Sequence, residues 1–357
     1  MDLKRSQWLV AGIGGTIAIV AIVFFVVPRK EQISGAAPPP LPQVSPESSP
    51  EPSPSSTPAV VPTNPLTGES CTNSARRPLA IMLSGDAIAR PLSGISDADM
   101  VFEMPVITGS ITRFMAIFIC RDPIEIGSIR SARHDFIPLA NGFDAIYVHW
   151  GGSHFALDML KTKAIDNIDA LINPTAAFWR KESVLAPHNG FSSMTRLFKA
   201  AQFMQYRLQG NAPEYAHATS IDALAAAGML DIGYAGAFRV RYAYDPESQT
   251  YERIRGAITE RDKNTGEAVR TKNVVVMRAS SKQIEGQYND LSLEGTGEAT
   301  LYRSGREFSG YWKKDAKDQK QPLLFVDPEG NNFVFVPGSI WVQVVEPYTS
   351  VQWSISD

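Results

Sequence analysis

The stretch FDAIYVHWGGSHFALDMLKT, residues 143–162, decides the fold class. Ala145 to Trp150 is a short run rich in aliphatic and aromatic residues, the composition of a buried strand. Gly151-Gly152 ends it, and Phe155, Ala156, Met159 and Leu160 then recur at the helical period. A strand turning directly into an amphipathic helix implies an α/β domain. Upstream, PLAIML (78–83), DMVFEMPVI (99–107) and RFMAIFIC (113–120) read as further buried strands. Downstream, SMTRLFKAAQFM (193–204) repeats the helical pattern behind serines suited to capping.

After Gly236 the pattern changes. FRVRYAYDPESQTYERIRG (238–256) alternates on both sides of a turn sequence, the signature of a hairpin. ATLYRSGREFSGYWKK, PLLFVDPEGNNFVFVPG and IWVQVVEP continue in the same style. The expected fold is therefore an α/β N-terminal domain (residues 71–235) followed by a mostly antiparallel β C-terminal domain (236–357).

Both lie behind a transmembrane helix and a disordered Pro-rich linker. Trp8 to Val27 is uncharged and 20 residues long, the length a helix needs to cross a bilayer core of roughly 30 Å. Pro28-Arg29-Lys30 follows directly, which favours a retained anchor over a cleaved signal peptide, and no cysteine is placed for lipidation. Residues 1–30 form the tail and anchor, with the N-terminus expected in the cytoplasm and the remainder outside it. Residues 31–70 form the linker. Of the 25 prolines, 11 fall between residues 38 and 65, and this composition cannot bury enough apolar surface to offset its ordering entropy. It would tether the domains roughly 40–120 Å from the membrane.

The net charge of -3 argues against nucleic-acid binding, and no sequence feature calls for a cofactor. Cys71 and Cys120 are either a disulfide, natural in an exported protein, or two buried thiols. Bridged, they would contribute about 4 kcal/mol through loop entropy.

Candidate chemistry gathers at strand ends. The Gly151-Gly152 turn before Ser153 offers backbone N–H groups to an anion or an oxyanion, or else Ser153 simply caps the helix. His149 and His188 adjoin turn residues and could act as bases. No histidine pair has metal-ligand spacing. Arg113, Arg130 and Arg133 crowd the ends of one apolar strand, with Glu103 on the strand before. They form either a salt-bridge network or an anion clamp. Ser131 could cap a helix opening at Ala132, which would set Arg133 against the helix dipole.

The ordered series RPLAIML, ARPLSGISDADMVFE, GSITRFMAIF, IGSIRSARHDFIPLA, FDAIYVHWGGS and FWRKESVLAPHNGF resembles the YerB-like lipoprotein family, strongly from Arg77 to Phe191 and more weakly beyond. The resemblance implies a bacterial, extracytoplasmic protein with an N-terminal and a C-terminal domain, both of unknown function. It also implies a shared polar set that includes Glu103, Arg113, Arg130, Ser131, Arg133, His149, Gly151, Gly152, Ser153, His188 and Asn189. Three departures stand out: Ser84-Gly85 replaces an Asp-Asn pair, Val106 to Gly109 lacks an acidic residue, and Pro138 falls inside an expected helix. Together these residues point to a tethered envelope protein that binds an anionic ligand such as a cell-wall fragment. A hydrolase using His149 or His188 with Ser153, and a scaffold for a protein partner, are the alternatives.

Overall fold

The computed structural model describes residues 61–355 except 109–110, 173–174, 221–224 and 287. The expected anchor at 8–27 and most of the linker lie outside the described residues, among which no helix is long and apolar enough to cross a membrane. Residues 59–357 form one compact unit.

Fourteen strands form the framework of its two principal sheets, and the two-residue strands Ile258–Thr259 and Arg270–Thr271 extend the smaller one. In chain order they are β1 (Leu79–Ser84), β2 (Met100–Pro105), β3 (Thr112–Phe118), β4 (Ile146–His149), β5 (Asn167–Asp169), β6 (Gly228–Ile232), β7 (Val240–Asp245), β8 (Thr250–Arg255), β9 (Asn273–Arg278), β10 (Gly295–Arg303), β11 (Arg306–Lys314), β12 (Leu324–Val326), β13 (Ile340–Val345) and β14 (Val351–Ile355). The larger sheet has ten strands in the order β12-β11-β10-β9-β13-β2-β3-β1-β4-β5. The smaller is built on β8-β7-β6-β14.

The four strands expected before Gly151 form where their sequences place them. β1, β2, β3 and β4 are buried along their whole length, so both faces of the sheet are covered. Alternate side chains feed two cores. Ala80, Met82, Phe102, Met115 and Ile117 pack with helices α1 (Phe136–Gly142) and α2 (His154–Lys161). Leu79, Ile81, Phe114 and Phe118 pack on the other face with helix α3 (Met194–Phe203) and the smaller sheet. Ser153 and Ser193 cap α2 and α3, each accepting a backbone N–H from the first turn.

The structure corrects four expectations. First, the C-terminal strands are not a separate antiparallel layer. β13 inserts between β2 and β9 and runs parallel to both, which joins the two halves of the chain in one sheet. Its sequence, IWVQVV, is the near-continuous apolar run of a central parallel strand. Second, Gly228–Ile232, assigned above to the first domain, pairs with β7 and β14 and so belongs with the smaller sheet. Third, the linker ends earlier than residue 70. Leu66 is fully buried, and Asn64 donates a 2.7 Å hydrogen bond to Asp99, so residues 61–70 are part of the fold. Fourth, α1 begins at Phe136 rather than Ala132. Ser131 is therefore not its cap, and Pro138 falls in the first turn, where its missing N–H costs nothing.

Cys71 and Cys120 are joined as a disulfide, their Cα atoms 5.8 Å apart and 49 residues separated in the chain. It pins the entry segment to the end of the strand region that begins with β3. Reduction should lower stability by about 2–4 kcal/mol, read as a shift of the denaturant midpoint with and without reductant.

Candidate functional site

The arginines of the 113–133 region meet where β1 ends and β3 begins. Ser84 and Arg113 face each other in the β1–β3 register, and the loop from Ser128 to Arg133 crosses above them. Arg113 is almost fully buried and donates through Nη1 to Ser131 O at 2.9 Å. Arg130 donates to Pro187 O at 3.2 Å, and Arg133 to Ala132 O at 2.9 Å. These are backbone carbonyls. Among the described residues, no carboxylate lies within ion-pair distance of any of the three, and the buried Nε of each lacks an acceptor.

The electrostatics follow from this. Burial, together with the like charges of Arg133 and Arg130, pushes the Arg113 guanidinium down to about 9. Burial lowers Arg130 and Arg133 as well. Asp86 opposes the shift at Arg113 and Arg130, too far away to pair with either.

His188 belongs to the same place. Its Nδ1 lies 3.3 Å from Ser84 Oγ and 3.9 Å from Asp86 Oδ2, and Ser84 donates to Asp86 at 2.9 Å. Burial and the charges of Arg130 and Arg113 lower its pKa, which keeps the ring neutral near pH 7. Asn189 stands at the rim, accepting from Arg180, whose guanidinium stacks on Trp150 at 4.2 Å. Asp86 belongs to no motif in the sequence; its available signal is a lone acid two residues beyond the end of buried β1.

Other candidates lie apart. His149 is fully buried, with Nδ1 2.9 Å from Gly151 O and Nε2 3.2 Å from Asn167 Oδ1. Both ring nitrogens are thus engaged inside the protein. The Gly151 N–H donates to Asp169, and the Ser153 N–H to Ala132 O, so neither is open to an oxyanion. Gly151 adopts φ +61°, and a Cβ there would meet Leu171 at 2.8 Å. Gly152 packs against Ala132 and Leu157. The turn is an internal joint that places the Arg130–Arg133 loop.

Glu103 is separated from the arginines it was grouped with. The β alternation turns it to the opposite face of the sheet, where Arg253 and Arg255 bind its two oxygens at 2.5 and 2.8 Å and Thr112 donates at 2.5 Å. Glu260 bridges the same two arginines, and Arg253 lies over Trp341 at 4.3 Å. Sequence reading missed this network, although Tyr251, Arg253 and Arg255 share the inward face of β8. Charged residues at alternate, inward strand positions were the available signal. A cavity of about 410 Å³ adjoins it, lined by Arg90, Leu92, Ile95, Phe114, Arg255 and Trp341. Arg90 and Arg255 already face Glu260, so the cavity offers an anion less than the arginine cluster does.

The comparisons with known proteins bear on this arrangement. Residues 66–207 match the N-terminal domain, and residues 230–342 the C-terminal domain, of the family described as protein of unknown function DUF3048. The chain belongs to the DUF3048 family. It is 34% identical over 289 residues to "Putative lipoprotein YerB" of Bacillus subtilis (strain 168), covering 79% of this chain and 85% of that protein. The crystal structure of YerB from Bacillus subtilis superposes with a TM-score of 0.73 at 31% identity, covering 81% of this chain and 99% of that one. The resemblance read from the motifs is confirmed. In this DUF3048 member the arginine cluster lies within the N-terminal family domain, and the Arg253–Arg255–Glu260 network joins that domain to the C-terminal one.

Proposed function

We propose that this DUF3048 protein is tethered to the membrane and binds an anionic cell-envelope ligand outside the cytoplasm, with Arg113, Arg130 and Arg133 as the cationic wall of its pocket. One observation carries this reading: three clustered guanidinium groups have buried Nε–H donors without acceptors and, among the described residues, no carboxylate within ion-pair distance. Clustered, desolvated cations are unfavourable alone. An entering phosphate or carboxylate supplies charge and acceptors together, and the planar guanidinium fork suits both. Neutral His188 and the Ser84 hydroxyl add groups that can donate to or accept from the same ligand.

Location rests on separate supports: the Cys71–Cys120 disulfide, which persists in oxidising compartments, the uncharged run Trp8 to Val27, and the description of the YerB relative as a lipoprotein. A hydrolase built on His149 and Ser153 draws no support, since both side chains are buried and engaged.

Thermal unfolding of the protein against inorganic phosphate, glycerol-phosphate polymers, peptidoglycan fragments and neutral sugars tests the reading. An anionic ligand at 100 times its Kd should stabilise the fold by about 2.7 kcal/mol, with neutral sugars inert. No shift with any anion would contradict it.

A further inference from the structure

We infer that His134, Asp135 and Asp290 form a binding site for one divalent transition-metal ion, with zinc the ion that best suits the donor set. The site shares no residue with the anion pocket, which it adjoins through Arg133. His134 and Asp135 close the loop that enters α1, and Asp290 comes from the C-terminal strand Tyr288–Leu291. His134 Nε2 lies 3.5 Å from Asp135 Oδ1 and 3.5 Å from Asp290 Oδ1. One ligand atom from each residue falls within 4.8 Å of the other two. A separation of 3.5 Å is longer than an ordinary hydrogen bond. It matches instead the edge of a coordination tetrahedron, since bonds of about 2.1 Å place neighbouring ligands about 3.4 Å apart. One imidazole nitrogen with two carboxylate oxygens favours zinc or a similar ion over calcium and magnesium, which take oxygen donors.

The ligands are held in position. The Leu291 N–H donates to Asp135 Oδ1 at 2.9 Å, the kind of outer contact that orients a metal-binding carboxylate. The His134 ring packs on Phe155 with centroids 5.5 Å apart. Asp290 Oδ2 faces Lys282 at 3.5 Å, which leaves Oδ1 turned to the site. The Asp135 side chain is only 2% exposed, and among the described residues no lysine or arginine reaches ion-pair distance of it. A buried carboxylate facing a second one is unfavourable without a cation. The contributing segments are far apart in the chain, so no motif spacing announces the site.

The test uses the full chain, stripped with chelator and titrated with Zn²⁺ by calorimetry, with Co²⁺ as a spectroscopic probe of geometry. One ion per chain is expected, with the intense visible bands of tetrahedral cobalt. Asp290→Asn, a change at a partly exposed side chain, should leave the melting temperature unaltered. It should weaken zinc binding by at least the about 10–100-fold that loss of an outer-shell partner costs. His134→Ala should do the same and abolish the cobalt bands. Absence of saturable uptake by the native protein would overturn the site, and so would unchanged affinity in a folded Asp290→Asn variant.

Discussion

Replacing Glu103 with alanine lowers the stability of this protein by about 3–5 kcal/mol, the usual cost of removing one partner from a buried ion network. Glu103 is fully buried, as is Arg253, and Arg255 is nearly so. The substitution leaves two guanidinium groups in the core with Glu260 as their one carboxylate partner among the described residues. Burial alone would raise the Glu103 carboxyl, yet the charges of Arg255 and Arg253 and the Thr112 hydroxyl hold it below the usual range. Packing around Arg253 is aromatic, with Phe114, Tyr242 and Trp341 about its guanidinium. Because Glu103 lies in the N-terminal family domain and its partners in the C-terminal one, the loss also loosens the junction of the sheets. Denaturant unfolding of Glu103→Ala and Glu103→Gln measures it. A cost below about 1 kcal/mol in both would place the network outside the structural core.

Arg113→Met shows the opposite balance. Arg113 has one hydrogen bond to a backbone carbonyl and two cationic neighbours, and its pKa is already depressed to about 9. An apolar side chain of similar length removes repulsion and desolvation together, so stability should stay within about 1 kcal/mol of the native value or exceed it. Anion binding should weaken by about 30-fold or more, since a buried charge contact to a ligand is worth about 2–5 kcal/mol. Calorimetric titration with phosphate, alongside denaturant unfolding, reads both effects. A variant several kcal/mol less stable would make Arg113 a structural residue.

This contrast shows what the sequence could and could not reveal. Local signals were legible. The run Ile146–His149, the Gly151-Gly152 turn, the Ser153 and Ser193 caps and the hairpin from Val240 to Arg255 each follow from residues adjacent in the chain. Partner choice was not. Nothing in IWVQVV says that it runs parallel to β2 and β9, because any apolar run can serve either orientation. Glu103 looked like a companion of the nearby arginines, but the period of two turns it away from Arg113 and toward residues 150 positions later. The arginine cluster was found because its members lie close in sequence. Asp86 and His188 completed it only through the fold.

The measurement that tests the central claim most directly is anomalous diffraction from crystals of the native protein soaked in tungstate, a phosphate-sized anion. The account predicts a strong peak within hydrogen-bond distance of the Arg113, Arg130 and Arg133 Nε atoms, absent from Arg113→Met crystals. Peaks confined to surface lysines, with the arginine cluster empty, would contradict it.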